Sequence, residues 1–500
     1  MRDPTAAGRD EGLDEETRSR VVRALATFDT SGKSRTQTER IERQYAIITR
    51  CDLGGQLHKV VASDLGISMR TFYRERLDAF ARLGEALSLE SGPSEAIPDA
   101  VTDAQAEIDR AWGYVAQGRI REAIARLSEV GEAAPAALQS VAFARLSSLW
   151  HVMRDETRSA ESMVRAKRAL ALLGAGATRT VVEAEIRASE AERLRCDGAF
   201  AAAVFVETRT AGSVHRCTLR CGPNALDALQ RVTAGQIAAQ FDRGDAARAL
   251  ETATSARSVI LADGGEPGAA TLPLDVAAAE GRLIVEADPV GALDAASAAH
   301  ASAVAHSMPV LAARALRVAA HACAALDDDA AGLAHARAAL AQVAAIDASR
   351  TRTEEELAIA GAFADLGDGE SALAVVESCA IARGREDVEA GVARSREAEA
   401  LVVLGRYREA ATRAREAIRI LARFDSRRLL GEAMLASARA LLGCADPRGA
   451  RAAASQAAKQ LLGGSWPTRA VAAQRLAGRE GGGLRRGLDR RTPAHVRDAG

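Results

Sequence analysis

Side chains around one short corner of the sequence could bind double-stranded DNA. The corner is LGIS, residues 65–68, and a stretch rich in arginine follows it. Arg70 and Arg74 could each donate two hydrogen bonds to a guanine, which is the commonest specific contact to a base. Thr71 and the backbone amides near Ser68, at the start of a helix, suit a phosphate. The candidate DNA-contacting residues are Lys59, Ser68, Met69, Arg70, Thr71, Tyr73 and Arg74.

Two predicted helices must position these side chains. The first runs from His58 to Gly66, and Ser68 begins the second because its hydroxyl can cap the free amides of a first turn. Gly66 suits the left-handed backbone of a tight corner because it has no Cβ. A buried apolar stripe would hold the two helices together. Its predicted members are Val61, Ala62, Leu65, Gly66, Ile67, Phe72, Phe80 and Leu83.

This segment resembles the helix-turn-helix of region 4 of bacterial sigma factors and of LuxR-type regulators. The residues that carry the resemblance are Val61, Ala62, the corner 65–68, Thr71, Phe72, Ala79, Phe80 and Leu83. It implies that the second helix enters the major groove, with Lys59 on the DNA backbone. Arg76 departs from the pattern, since sigma-like segments usually have leucine there. The alternative is an ordinary helical hairpin whose arginines are solvated.

Charge and composition set limits on these interpretations. The 500-residue chain has a net charge of -1, so an attraction to nucleic acid must be local. The segment from Lys33 to Leu83 contains ten basic and six acidic side chains, so it has a local excess of positive charge. Hydrophobic residues make up 48% of the chain and aromatic residues only 3%. A core with so few large side chains favours close helix packing through alanine, and therefore an all-helical protein.

A pattern of two helices and a turn recurs between residues 104 and 462. An alanine shortly after each predicted turn recurs at intervals of 37–46 residues. These alanines are Ala123, Ala160, Ala203, Ala249, Ala292, Ala334, Ala372, Ala410 and Ala450. The units GRIREAI, from Gly118, and GRYREAATRAREAI, from Gly405, resemble the tetratricopeptide repeat.

The predicted fold class is therefore all-α, with a helix-turn-helix domain followed by an α-solenoid of about nine tetratricopeptide-like hairpins. Stacked hairpins bury a continuous core and leave a concave inner face. An unrelated α-helical bundle is the alternative for the repeat region. The predicted segments are a mobile start (1–32), the helix-turn-helix domain (33–89), a linker (90–103), the solenoid (104–462) and a disordered basic tail (463–500).

Other motifs carry no chemistry that we can identify. SGKS, residues 31–34, lacks the earlier glycine of a phosphate-binding loop. His215, Cys217 and Cys221 are close in sequence, but a structural zinc site needs four ligands, so core thiols are the better interpretation. We expect no enzyme, no cofactor and no metal. The charged start and the lack of a long apolar run predict a cytoplasmic protein that does not enter a membrane.

The sequence thus predicts a DNA-binding transcription regulator. Its solenoid would bind a peptide, a protein or a small ligand on the concave face, or form a homodimer, and RNA polymerase is a further candidate partner. One helix-turn-helix contacts little DNA, so we expect two copies on two half-sites. The alternative is a protein-interaction scaffold or peptide receptor that does not bind DNA.

Overall fold

All regular secondary structure that the structure describes is helical, which confirms the all-α fold class. In this computed structural model the described residues are 35–53, 56, 58–69, 71–72, 75–76, 79, 99–221, 223–262, 271–379, 386–463 and 467–478. Side chains are described for these residues except 36, 52–53, 58, 99–102, 215–227, 262, 463 and 467–468. The chain divides into two compact units, Met1–Asp99 and Ala100–Gly500.

The first unit contains two described helices and part of a third. Helix α1 (Arg35–Ile47) continues as a π-helical turn (Ile48–Leu53), and α2 (His58–Asp64) follows. Beyond the corner at 65–68, residues 69, 71, 72, 75, 76 and 79 are helical. A small apolar core joins these elements, because Ile47 and Cys51 pack against side chains of α2 and of the helix after the corner.

The second unit is an α-solenoid of nine consecutive hairpins within the described residues. The first helices of the hairpins are α3 (Asp99–Ala116), α5 (Ala136–Val152), α7 (Ala177–Cys196), α9 (Pro223–Arg243), α11 (Leu272–Gly281), α13 (Pro309–Ala325), α15 (Ser349–Asp365), α17 (Val388–Val403) and α19 (Arg427–Gly443). The second helices are α4 (Ile120–Ala133), α6 (Glu156–Ala171), α8 (Phe200–Cys221), α10 (Ala246–Ala262), α12 (Pro289–Ala305), α14 (Asp329–Val343), α16 (Gly369–Ser378), α18 (Tyr407–Leu421) and α20 (Pro447–Gly463). A π-helical turn (Arg282–Glu286) extends α11.

A small buried residue occupies the fourth position of every second helix. These residues are Ala123, Ser159, Ala203, Ala249, Ala292, Gly332, Ala372, Ala410 and Ala450. The sequence prediction was wrong in two hairpins, because Ala160 and Ala334 are exposed and Ser159 and Gly332 take the position. The position has to be small because helices meet there. A Cβ on Gly332 would lie only 2.4 Å from Cδ2 of Leu366.

Each hairpin turn has one residue in the left-handed conformation, two positions before the second helix. Five of these residues are glycine, where the conformation costs little. The other four are Arg154 (φ 65°), Ala287 (φ 53°), Asp327 (φ 59°) and Ala445 (φ 61°). The turn geometry is therefore a property of the repeat and does not depend on a glycine signal in the sequence.

The solenoid closes on itself after about five hairpins. The Asp347 carboxylate, in the loop before α15, accepts hydrogen bonds from the backbone N–H of Ile120 (2.6 Å) and Arg121 (3.2 Å) at the start of α4. The Asp425 carboxylate, before α19, caps α8 in the same way through Phe200 N (2.8 Å) and Ala201 N (2.7 Å). We call these two contacts the aspartate clasps. They join hairpins 1 and 3 to the loops before hairpins 7 and 9.

The C-terminal part of the solenoid differs from the prediction. Residues 463–500 were predicted to be disordered, but Pro467–Gly478 form a helix, α21, on which Ala470 and Ala473 are buried. Arg469 also forms ion pairs with Asp365 (3.2 Å) and Glu432 (3.4 Å), so burial and charge both hold the helix in place. Helix α3 begins at Asp99, inside the predicted linker. Among the described helices, none combines the length and the apolar character that a membrane span requires.

Candidate DNA interface and ligand cavity

The corner after α2 has the geometry that its sequence predicts. Gly66 lies in the left-handed region (φ 63°), and the N–H of Ile67 donates to the carbonyl of Ala62 (3.0 Å), which ends the helix. The Ser68 hydroxyl accepts from the N–H of Thr71 (3.1 Å) and so caps the following helix. Local sequence therefore fixes both the end of one helix and the start of the next.

The predicted apolar stripe forms where the structure describes it. Val61, Ala62 and Phe72 are buried, and Leu65 and Ile67 pack against them. Ala79 is also buried. Of the three remaining predicted members, Gly66 is exposed at the corner, and Phe80 and Leu83 lie outside the described residues.

Three of the candidate DNA-contacting side chains are exposed beside this corner, namely Lys59, Ser68 and Met69. Thr71 is half-buried, and its hydroxyl lies 2.9 Å from that of Ser68. The positions of Arg70, Tyr73 and Arg74 fall outside the described residues, so their contact with DNA stays a prediction. Arg76, which departs from the sigma-like pattern, is half-buried.

An ion pair between a partly exposed arginine and a buried glutamate in this unit was not predicted from the sequence. The Arg43 guanidinium donates two hydrogen bonds of 2.9 Å to the two carboxylate oxygens of Glu75. Glu75 is only 2% exposed, and this contact raises the pKa of Arg43. It joins α1 to the helix after the corner across 32 residues of sequence, so no helical spacing signals it.

The second unit contains a solvent-accessible cavity of about 620 Å³. This volume is in the range of about 300–1,000 Å³ that is typical of sites for small ligands. The wall has apolar patches, which include Trp112, Phe200, Phe241, Val276, Leu357 and Val392. It also has six arginines and a comparable number of acidic side chains, so its chemistry depends on how these charges are paired.

Every arginine of the cavity wall forms an ion pair. The pairs are Arg195 with Asp242 and Glu354, Arg231 with Glu185, Arg314 with Glu355, Arg317 with Glu280, Arg396 with Glu399 and Glu432, and Arg428 with Asp242 and Glu432. Because a buried charge is costly unless it is paired, these contacts are what allows the arginines to stay inside the protein.

Glu185 is the centre of one paired cluster. Its carboxylate accepts hydrogen bonds from Arg145 (3.0 Å) and from Arg231, and both guanidinium groups stack on the ring of Trp112. Burial opposes ionisation of Glu185, but the two guanidinium groups outweigh burial and lower its pKa to about 2. The carboxylate is therefore charged at neutral pH.

Glu432 is the centre of a second paired cluster, beside a smaller cavity of about 360 Å³. Arg396 (2.8 Å) and Arg469 (3.4 Å) contact its carboxylate from α17 and α21. Burial would raise the pKa of Glu432, but the surrounding arginines lower it to about 2. In the same way, the guanidinium of Arg469 and the ring of His321 keep the pKa of Asp365 well below its ordinary value despite burial.

Glu207 on α8 differs from these acids. It lines the large cavity and is 2% exposed, and its Oε2 atom is buried without a hydrogen-bond partner among the described residues. Its carboxyl lies over Gly235 of α9, where a Cβ would come within 2.2 Å of Oε1. Burial, with the nearby Glu192 adding to it, raises the pKa of Glu207 to about 8 although Arg195 and Arg231 act in the opposite direction.

The cysteines do not form a metal site in the described part of the chain. No group of three or more histidine, cysteine or acidic side chains suitable for a metal occurs there. Five cysteines are free thiols, and burial raises the pKa of Cys196 to about 12, so this thiol is protonated. The side chains of His215, Cys217 and Cys221 lie outside those described.

Comparisons with known proteins identify no family for this chain. Neither the models of protein families nor the sequences of curated proteins match this chain. Solved structures that resemble it include the Rap protein complexed with competence and sporulation factor, at 10% identity and a TM-score of 0.44, covering 78% of this chain and 99% of that one.

Two further solved structures show a similar degree of resemblance. The phAimR–ligand structure has 9% identity and a TM-score of 0.39, and covers 69% of this chain and 92% of that one. The Cut9–Hcn1 hetero-tetramer of the APC/C has 13% identity and a TM-score of 0.46, with 94% and 86% covered. On its own hairpin geometry, the second unit is an α-solenoid of the tetratricopeptide-like type.

Proposed function

We propose that this protein is a transcription regulator that responds to a ligand. The solenoid binds a peptide or small molecule in its cavity, and the N-terminal unit binds DNA through the helix after the corner. The observation that carries the proposal is the cavity of about 620 Å³ inside a solenoid whose hairpins 1 and 3 contact the loops before hairpins 7 and 9. Such a site is large enough for a ligand and is lined by most hairpins of the solenoid.

Ligand binding changes the solenoid through differential affinity for its conformations. A ligand that contacts helices on opposite walls favours one superhelical pitch over another, and the aspartate clasps are the contacts that a change of pitch would break. The resulting shift alters how two copies pair as a homodimer, or which surface is available to RNA polymerase. The protein acts by binding and performs no catalysis.

The DNA-binding part of the proposal is supported by the corner of the first unit. Ser68 and the free amides of the following helix suit a phosphate, and Lys59 and Met69 are exposed beside them. Arg70 and Arg74 are assigned to the bases, because the N-terminal part of the second helix contacts base edges in this motif. Affinity then falls steeply as the salt concentration rises.

The test is crosslinking of the full-length protein to DNA across the genome, followed by binding measurements on an enriched fragment. The Arg70→Ala/Arg74→Ala variant loses at least about 30-fold in affinity, since each bidentate contact to guanine contributes about 1–3 kcal/mol. The control is Arg35→Ala/Arg40→Ala, which removes the same charge from exposed positions of α1 and keeps most of the affinity.

If this test fails, the favoured alternative is a protein-interaction scaffold that does not bind DNA. If no discrete sites are enriched and both double variants bind DNA fragments equally, the N-terminal hairpin docks a protein partner instead. The ligand site is judged separately, by saturable binding of a ligand to the full-length protein. The two parts of the proposal can therefore fail independently.

A further inference from the structure

Glu207 occupies a position in the cavity that the protein leaves without a cation. The six arginines of the wall are committed to other carboxylates by the ion pairs described above. Glu207 and Glu192 both line the cavity, and neither has an ion pair or hydrogen bond among the described residues. Glu207 is the more deeply buried of the two. A deeply buried polar group without a partner is rare, because it loses its hydration and gains nothing in return.

The surroundings of Glu207 are shaped to hold its carboxyl there. Gly235 on the facing helix α9 leaves room for the carboxyl, and a side chain at that position would clash with Oε1. Thr208, the next residue of α8, is held by a hydrogen bond from Gln236 Nε2 (3.1 Å). The carboxyl is thus positioned by the packing of α8 against α9 and is not free to turn into solvent.

We propose that this corner of the cavity binds the ammonium or guanidinium group of the ligand, whose apolar part lies against the aromatic and aliphatic wall. The inference rests on the proposed ligand-binding function and adds the class of ligand. Glu207 would form the charge-assisted hydrogen bond, and Glu192 would add negative potential beside it. An amine-bearing molecule and a short peptide with lysine or arginine share this chemistry.

Protonation gives the inference a second signature. Because burial raises the pKa of Glu207 to about 8, its carboxyl is mostly protonated in the free protein at neutral pH. A cation that binds beside it favours the charged carboxylate, so the carboxyl proton passes to the solvent. Binding of a cationic ligand near pH 7 should therefore release close to one proton from the protein.

The experiment is isothermal titration calorimetry of the full-length protein with defined probes. The peptide probes are pentapeptides of leucine and alanine with blocked termini and a central lysine, arginine, acetyl-lysine or glutamate. Octylamine is the non-peptide probe. The lysine and arginine peptides should bind at least about tenfold more tightly than the acetyl-lysine peptide, which is the size of one hydrogen bond to a charged group. Comparable binding of octylamine would assign the site to amines in general, and its failure would assign it to peptides.

Variants locate the effect. Glu207→Gln should abolish the preference for the charged peptides, whereas Glu251→Gln, an exposed position on α10, should keep it. Titrations in two buffers of different ionisation enthalpy report the proton release in the unaltered protein, even if a variant folds poorly. The inference is wrong if the acetyl-lysine or glutamate peptide binds as tightly as lysine, or if no cationic probe binds. Binding of the neutral or acidic peptide alone would retain the ligand-binding function and reject only this class of ligand.

Discussion

Two parts of the solenoid interior treat a buried carboxylate in opposite ways. Around Glu432, three arginines from α17, α19 and α21 contact one carboxylate and lower its pKa to about 2. At Glu207, no cation is in contact and burial raises the pKa to about 8. Both acids line cavities or lie beside them, so burial alone does not separate their roles. Their roles differ because the protein supplies arginine partners for Glu432 and no contacting cation for Glu207.

This difference assigns a structural role to the paired Glu432 and a ligand-binding role to the unpaired Glu207. A buried ion pair joins the helices that carry its two partners, and removing one partner leaves an uncompensated charge. A buried acid without a partner lowers the stability of the folded protein. Its presence is explained if a cationic group of the ligand forms an ion pair with it. The four predictions that follow test this comparison, beginning with the paired cluster.

Removal of Arg396 should have the largest effect on stability. Arg396→Ala leaves Glu399 and Glu432 with one partner fewer in the interior, which costs about 3–5 kcal/mol. Chemical denaturation of the variant measures the loss. Arg408→Ala, at an exposed position of α18, is the control and should change stability by less than about 0.5 kcal/mol. Equal stability of the two variants would contradict a structural role for the cluster around Glu432.

Glu207→Gln should act in the opposite direction, and only above acidic pH. Between its ordinary pKa of 4.5 and the folded value of about 8, the folded chain keeps a proton that the unfolded chain has lost. Stability contributed by this group therefore falls as the pH rises through that window. The variant should gain on the order of 3 kcal/mol over the unaltered protein between about pH 5 and pH 8. Parallel pH profiles of urea unfolding for the two proteins would contradict the raised pKa.

The first unit should show the same penalty for an unpaired acid on a smaller scale. Arg43→Met keeps the apolar stem but leaves Glu75 without its two hydrogen bonds, which costs about 1–3 kcal/mol. Arg43 is 30% exposed, so water compensates part of the loss. Hydrogen exchange of α1 and α2 measures the change locally. The double variant Arg43→Met/Glu75→Met should recover most of it, and a further loss would show that the pair is not the cause.

The aspartate clasps should have the smallest effect on stability but a visible effect on shape. Asp347→Ala and Asp425→Ala each remove a helix cap, at about 1 kcal/mol apiece. The double variant should have a larger radius of gyration by small-angle scattering, because the clasps join successive superhelical turns. Asp446→Ala removes a helix cap within one hairpin, a single hydrogen bond from the N–H of Gly449, and should leave the radius unchanged. If the Asp347→Ala/Asp425→Ala double variant keeps the same radius of gyration as the Asp446→Ala control, the solenoid stays closed without the clasps.

The repeat architecture could be predicted from the sequence because its signals are local. Small residues at the helix crossing recur in each hairpin, and Gly118 and Gly405 mark two of the turns. The register was wrong at Ala160 and Ala334, whose hairpins have Arg154 and Asp327 in the left-handed turn position instead of glycine. In these two hairpins two small residues lie one or two positions apart, and the sequence alone does not show which of them faces the neighbouring helix. The corner at Gly66 was predictable for the same local reason.

The interior chemistry could not be predicted in this way. Glu207 and Gly235 belong to facing helices, and the aspartate clasps join residues more than 220 positions apart. Their contacts depend on the superhelical pitch, which sums small rotations over about five hairpins. The tail helix α21 was also missed, because Arg469 finds its acidic partners only in the folded solenoid.

The measurement that tests the central claim most directly is a crystal structure of the full-length protein with the central-lysine pentapeptide bound. The claim is that Glu207 has no cationic partner in the free protein and forms an ion pair with a cationic group of the ligand. The predicted result is an ammonium nitrogen within about 3 Å of a Glu207 carboxylate oxygen, inside the cavity between α8 and α9. A bound peptide whose lysine lies elsewhere, with Glu207 still unpartnered, would contradict it.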